Sequence, residues 1–134
     1  MGDRVSISFS NQYGEDESVA LFNHWGGEDF VDVVKGFLAE LATHLKKDGK
    51  FTDYTPLDRL EPQTIMLNFV LFLGRISVAN YLTHSFYLGK DRNDGDNSDN
   101  GHYLFKLHKS DNELFYTIIR SRDDYLCFDE KAGV

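Results

Sequence analysis

The sequence predicts an α+β fold: a mostly antiparallel sheet, made of an N-terminal hairpin and three or so C-terminal strands, with two main helices on one face. Three patterns predict it. Residues 4–10, RVSISFS, alternate with the period of a half-buried strand. From Glu28 the apolar residues recur at spacings of three and four, the period of an amphipathic helix. After a second, very apolar helical stretch the alternation returns and runs to the end of the chain.

In the first strand Val5, Ile7 and Phe9 share one side, and Arg4, Ser6, Ser8 and Ser10 the other. NQYGEDE supplies turn residues, and SVALFN (18–23) pairs back as the second strand of a hairpin with a polar tip. In the first helix Phe30, Val34, Phe37, Leu38, Leu41 and Leu45 form the apolar stripe. Acids crowd its first turn, Lys46 and Lys47 its last, and Gly49 stands where a C-cap belongs. Its interior Gly36 costs about 1 kcal/mol against alanine, which predicts close contact, most simply with the sheet.

Thr55 before Pro56 reads as an N-cap with proline at the first position of a short helical turn. The second helix runs from Pro62 to about Tyr81 and is apolar nearly all round, which predicts burial on most sides. Thr64, Asn68, Leu71 and Arg75 share one stripe on it, so that either the stripe meets water or Arg75 needs a carboxylate partner inside the fold. Strands follow at 84–89, 102–108, 113–120 and 125–129. The polar run 90–101 between the first two reads as a mobile, solvated hairpin loop.

The chain, 134 residues and 41% hydrophobic, suits one packed domain spanning 1–134. Its net charge of −8 gains nothing from a phosphate backbone, so direct nucleic-acid binding is disfavoured; an acidic surface serves solubility more often than nucleic-acid mimicry. The lone Cys127 cannot form an internal disulfide and fits a reducing, cytoplasmic compartment. No signal-peptide core is visible at the N-terminus, and IMLNFVLFLG (65–74), interrupted by Asn68, is shorter than the roughly twenty residues that cross a bilayer. No membrane partner is expected.

ALFNHWGGEDF (20–30) is the first candidate site. Gly26 and Gly27 can cradle an anion with backbone N–H groups at a helix N-terminus, with His24 handling a proton and Trp25 stacking on a ring. Alternatively the glycines turn the chain from strand to helix while Trp25 plugs the seam between them. Glu28 and Asp29 would repel a phosphate there and favour the second reading. Were a ligand bound, Asn68 and Arg75 would line the same pocket as the corner.

The loop 90–101 offers Asp91, Asp94, Asp96 and Asp99 as oxygen ligands, but its match to a calcium-binding loop fails at Leu107, where a bidentate glutamate belongs. His24, His44, His84, His102 and His108 are scattered without metal-ligand spacing; His102 and His108 lie roughly 20 Å apart on one predicted strand and read as surface residues. Arg120 and Arg122, with Arg75 or Arg92, could form an anion patch, though Asp123 and Asp124 beside them favour surface ion pairs. Cys127 reads as a small buried or edge thiol, and no catalytic constellation, cofactor fingerprint or metal site is recognised.

The strand, His-Trp-Gly-Gly and helix of LFNHWGGEDF, together with the element order, resemble small uncharacterised proteins of phages and of archaeal or bacterial mobile elements. The resemblance implies that His24, Trp25, Gly26 and Gly27 form a family corner and that the gene belongs to a virus or to its host's defence conflict. It brings no activity. The leading expectation is therefore a non-enzymatic interaction or accessory module, acting through an acidic surface or an exposed sheet edge and forming a homodimer. Next stands a binder of a small anionic or nucleotide-like metabolite at His24–Gly27, Asn68 and Arg75, and last an enzyme using His24 as acid or base.

Overall fold

The computed structural model describes residues 2–14, 16–76, 84–120 and 124–133. Strand β1 (Val5–Asn11) pairs antiparallel with β2 (Ala20–Asn23), the expected hairpin. Helix α1 spans Phe30–His44 and α2 spans Pro62–Ile76. The last residues of the expected second helix, 77–81, lie outside the described residues. Strands β5 (Phe86–Gly89), β6 (His102–Ser110), β7 (Glu113–Arg120) and β8 (Asp124–Lys131) complete a six-stranded sheet in the order β5-β2-β1-β6-β7-β8, with β3 (Lys46–Lys47) and β4 (Lys50–Phe51) forming a small separate hairpin.

The sheet is mostly antiparallel, as the alternation predicted, with one parallel pair, β1–β6. Val5, Ile7 and Phe9 turn one face of β1 to the core, and Tyr103, Phe105 and Leu107 of β6 stand in register beside them on the same face. Helix residues Val34, Phe37, Leu38, Ile65 and Phe69 close that core from above. Phe9 makes edge-on ring contacts with Phe37 at 6.0 Å and Phe69 at 5.8 Å, so both helices are seated on the central strand.

The parallel pair decides what the polar run 90–101 does. Because β5, β1 and β6 all point the same way, the chain leaving β5 has to travel back along the strand length before it can enter β6. It crosses the far face of the sheet and closes no hairpin, although most of its residues remain exposed. Gly95 lies against the stacked rings of Phe22 and Tyr87, Asn97 donates to the Ser6 hydroxyl at 2.8 Å, and Arg4 pairs with Asp96 and Asp99 at 2.5 and 3.0 Å. The aspartates explain themselves locally: Asp91, Asp94 and Asp96 accept backbone N–H groups of Asn93, Lys90 and Ser98, closing turns the sheet cannot supply. Among the described residues no group of His, Cys, Asp and Glu could hold a metal ion.

Three helix expectations need correction. α1 stops at His44, and Lys46 and Lys47 enter the β3–β4 hairpin, so Gly49, at φ +78, makes that hairpin's turn rather than a helix cap. A Cβ at Gly36 would meet open space, so close packing is not its reason. α2 buries Ile65, Met66, Phe69 and Leu73 but leaves Leu67 and Leu71 each 59% exposed, so it is covered on one side only. The Thr55 cap stands as expected, with its hydroxyl accepting the Asp58 amide at 3.1 Å and the buried Asp58 carboxylate accepting the Thr55 amide at 3.3 Å.

Candidate functional site

The sequence-predicted residues fall into two places. At the strand-to-helix corner the Asn23 side-chain oxygen accepts the Trp25 amide at 3.0 Å, while Asp3 donates its amide to the His24 carbonyl and accepts the Gly27 amide, both at 2.8 Å. The amides of Phe30, Val31 and Asp32, which would cradle an anion, donate to the carbonyls of Gly27, Glu28 and Asp29 at 3.1–3.2 Å. Gly27 sits at φ +58 with the Asp3 carboxylate where a Cβ would project, and the Asn23 amide presses on Gly26 in the same way. The glycines thus admit the N-terminal segment into the corner. Trp25 does not plug it: the indole is 59% exposed and meets the His24 ring edge-on at 4.6 Å.

Asn68 and Arg75 lie elsewhere, along a groove of about 520 Å³ between α1 and α2 whose walls do not include His24 to Gly27. Phe37, Leu41, Leu57 and Phe72 make it apolar, and Glu40 and His44 join Asn68 and Arg75 as its polar groups. Arg75 meets both demands of its stripe, since its side chain is largely exposed and also pairs with Glu40 at 2.8 Å while lying over the Phe72 ring. The Arg75 hydrogen bond holds the Glu40 carboxyl below its ordinary range. Asn68 spends a donor on the Thr64 carbonyl one turn back, at 2.8 Å. The other arginines stay apart: Arg120 donates to the Asn100 carbonyl, Arg92 pairs with Glu17 at 3.4 Å, and Arg122 lies outside the described residues.

One polar constellation was not anticipated. His102, expected at the surface, is 2% exposed on the far face of the sheet. Its Nδ1 lies 2.6 Å from the Ser6 hydroxyl and its Nε2 2.8 Å from that of Ser8, which donates to Glu17 at 2.6 Å. With that proton committed to Glu17, the neutral ring donates from Nε2 and accepts at Nδ1, and Asn97 completes the chain by donating to Ser6. Glu17 is held down to about 2 by its His102 contact first, with help from Ser8 and Arg92, while burial lowers His102 against the opposing pull of Glu17. The order hydroxyl, imidazole, acid is that of a nucleophile relay, but Ser6 and Ser8 have no accessible surface and a substrate has no approach. The cluster bolts the loops holding Glu17 and Asn97 to β1 and β6. Its only trace in the sequence is that Ser6 and Ser8 share a face with period two, the face the same pattern assigns to water.

Both edge strands of the sheet carry exposed apolar side chains, Tyr87 and Leu88 on β5 and the larger set on β8. β8 forms one edge of the sheet and leaves Tyr125, Leu126 and Phe128 exposed, Phe128 at 75%, with Tyr125 and Phe128 in edge-on contact at 6.1 Å. Cys127 between them is half-buried, and burial pushes its thiol up, away from the nucleophilic thiolate. Among the described residues no helix is long and apolar enough to cross a membrane. Comparison with protein-family models, with curated proteins and with solved structures gave no significant match.

Proposed function

We propose that this chain is a non-enzymatic protein-interaction module that docks another protein on the β8 edge of its sheet. The carrying observation is the exposure of Tyr125, Leu126 and Phe128 on a strand with one free side. A strand edge offers unpaired backbone donors and acceptors to an incoming strand, and large apolar side chains along it add buried area once a partner is seated. Asp124, Asp129 and Glu130 frame the apolar centre, which suits a partner strand with basic flanks. The half-buried free thiol of Cys127 supports a reducing, cytoplasmic setting, and the His24–Gly27 corner's resemblance to phage and mobile-element proteins supports an accessory role there.

The test is affinity purification from the native host with the wild type and with a Leu126→Lys/Phe128→Lys variant, read by quantitative mass spectrometry. A protein captured by the wild type and lost from the variant is the expected result. Equal recovery on both would remove the edge from the mechanism.

A second reading, binding of a small anionic or nucleotide-like metabolite, draws on the groove that brings Asn68 and Arg75 together over apolar walls. His24 to Gly27 would not share that site. Native mass spectrometry of the protein from its host separates the readings, because bound metabolite appears as extra mass that disappears on denaturation.

A further inference from the structure

We infer that the outer side of α2 is a homodimer seam, packing antiparallel against α2 of a second copy about a two-fold axis. The inference is independent of docking at β8 and begins with a helix whose outer side is apolar. Leu67 and Leu71 are each 59% exposed, and with Thr64 and Gly74 they follow one another at spacings of three, four and three, the repeat of a helix–helix seam. Burial of the opposite side, through Ile65, Phe69 and Leu73, leaves this stripe largely outside the core, with Leu71 at the border of the α1–α2 groove.

Three features select a second copy as the occupant. The stripe is complementary to itself: an antiparallel partner centred on the stripe sets Leu67 against Leu71, Thr64 against Gly74 and Gln63 against Arg75 in both directions. The small residues fall at both ends, where they allow close approach, and Gly74 has open space around it that a partner would occupy. Charge points the same way. The chain carries −8 overall and is 27% charged, yet the 15 residues of α2 hold a single charge, Arg75. Two such acidic chains repel over most of their surfaces and least across α2, and an antiparallel arrangement brings each Arg75, with its own Glu40, toward the partner helix's N-terminal end, where Glu61 is held by Arg59, so that the ends meet as neutralised pairs.

Analytical ultracentrifugation of the full chain tests this. The wild type is expected to sediment at twice its 15.4 kDa mass. Leu67→Glu/Leu71→Glu is expected to weaken the dimer by about 100-fold or more, with circular dichroism unchanged because both positions are exposed. Gly74→Arg, a substitution that favours helix and has room in the single chain, is expected to give monomer as well and guards against misfolding of the first variant. Leu126→Lys/Phe128→Lys is expected to stay dimeric, which keeps this seam distinguishable from the β8 edge. A monomeric wild type, a dimer that survives both α2 variants, or a dimer lost only with the β8 variant would overturn the inference.

Discussion

Two residues define the chemistry at the smallest scale, Gly27 and His102. Gly27 needs its left-handed backbone at φ +58 and the space the Asp3 carboxylate occupies, so Gly27→Ala is expected to destabilise the fold by about 1–3 kcal/mol in urea denaturation. A change within a few tenths would show that the corner relaxes freely. His102 couples the fold to acid. Its folded pKa lies below the ordinary 6.5, so the neutral ring's contribution is complete above that pH and declines as pH falls below it. Glu17, depressed from 4.5 to about 2, adds a contribution present above 4.5 and lost as pH falls through about 2. Both act in one direction: thermal stability is expected to fall by several degrees from pH 7 toward pH 4 and further below it. In a His102→Gln variant the upper part of that slope should flatten, and an identical slope would remove His102 as its source.

At the scale of elements, the two helices show how a periodic pattern can be read correctly and still mislead about burial. α1 buries Phe30, Val34, Phe37, Leu38 and Leu41 in the core it shares with the sheet and α2, as its stripe required. α2 is apolar on both sides, yet among the described residues Leu67 and Leu71 on its outer side stay largely exposed, because a two-layer fold offers a helix one sheet face and no third layer. Gly36 illustrates the converse. With open space at its Cβ, it brings no packing benefit to offset its backbone entropy, and Gly36→Ala is expected to raise stability by about 0.5–1 kcal/mol. A loss of stability in chemical denaturation would mean that some contact requires the glycine.

Across the whole molecule, one parallel pairing organises the rest. Joining β1 to β6 puts the hairpin and the C-terminal strands into a single sheet, sends residues 90–101 over the far face, and buries His102 between serines 94 and 96 positions away. Residues 90–101 cover that face near β1 and β2, while β8 stays an edge, and both proposed surfaces, the β8 edge and the α2 stripe, are left exposed by this two-layer arrangement. The candidate site divides on the same line. Stripe geometry placed Asn68 and Arg75 together because residues spaced by one or two helical turns share a side whatever the helix packs on. Their union with His24 to Gly27 did not follow, since it depended on where α2 lies relative to the end of β2. Sequence by itself determined the α+β class, the two main helices, the strands of the large sheet and the Thr55 cap, though not the β3–β4 hairpin, because each of those features is set by periodicity or by contacts within a few residues. Only the tertiary structure decided the strand order, the burial of His102, the crossover of 90–101 and the bare side of α2, because pairing partners remote in the chain leave no local pattern and burial belongs to the neighbour as much as to the residue.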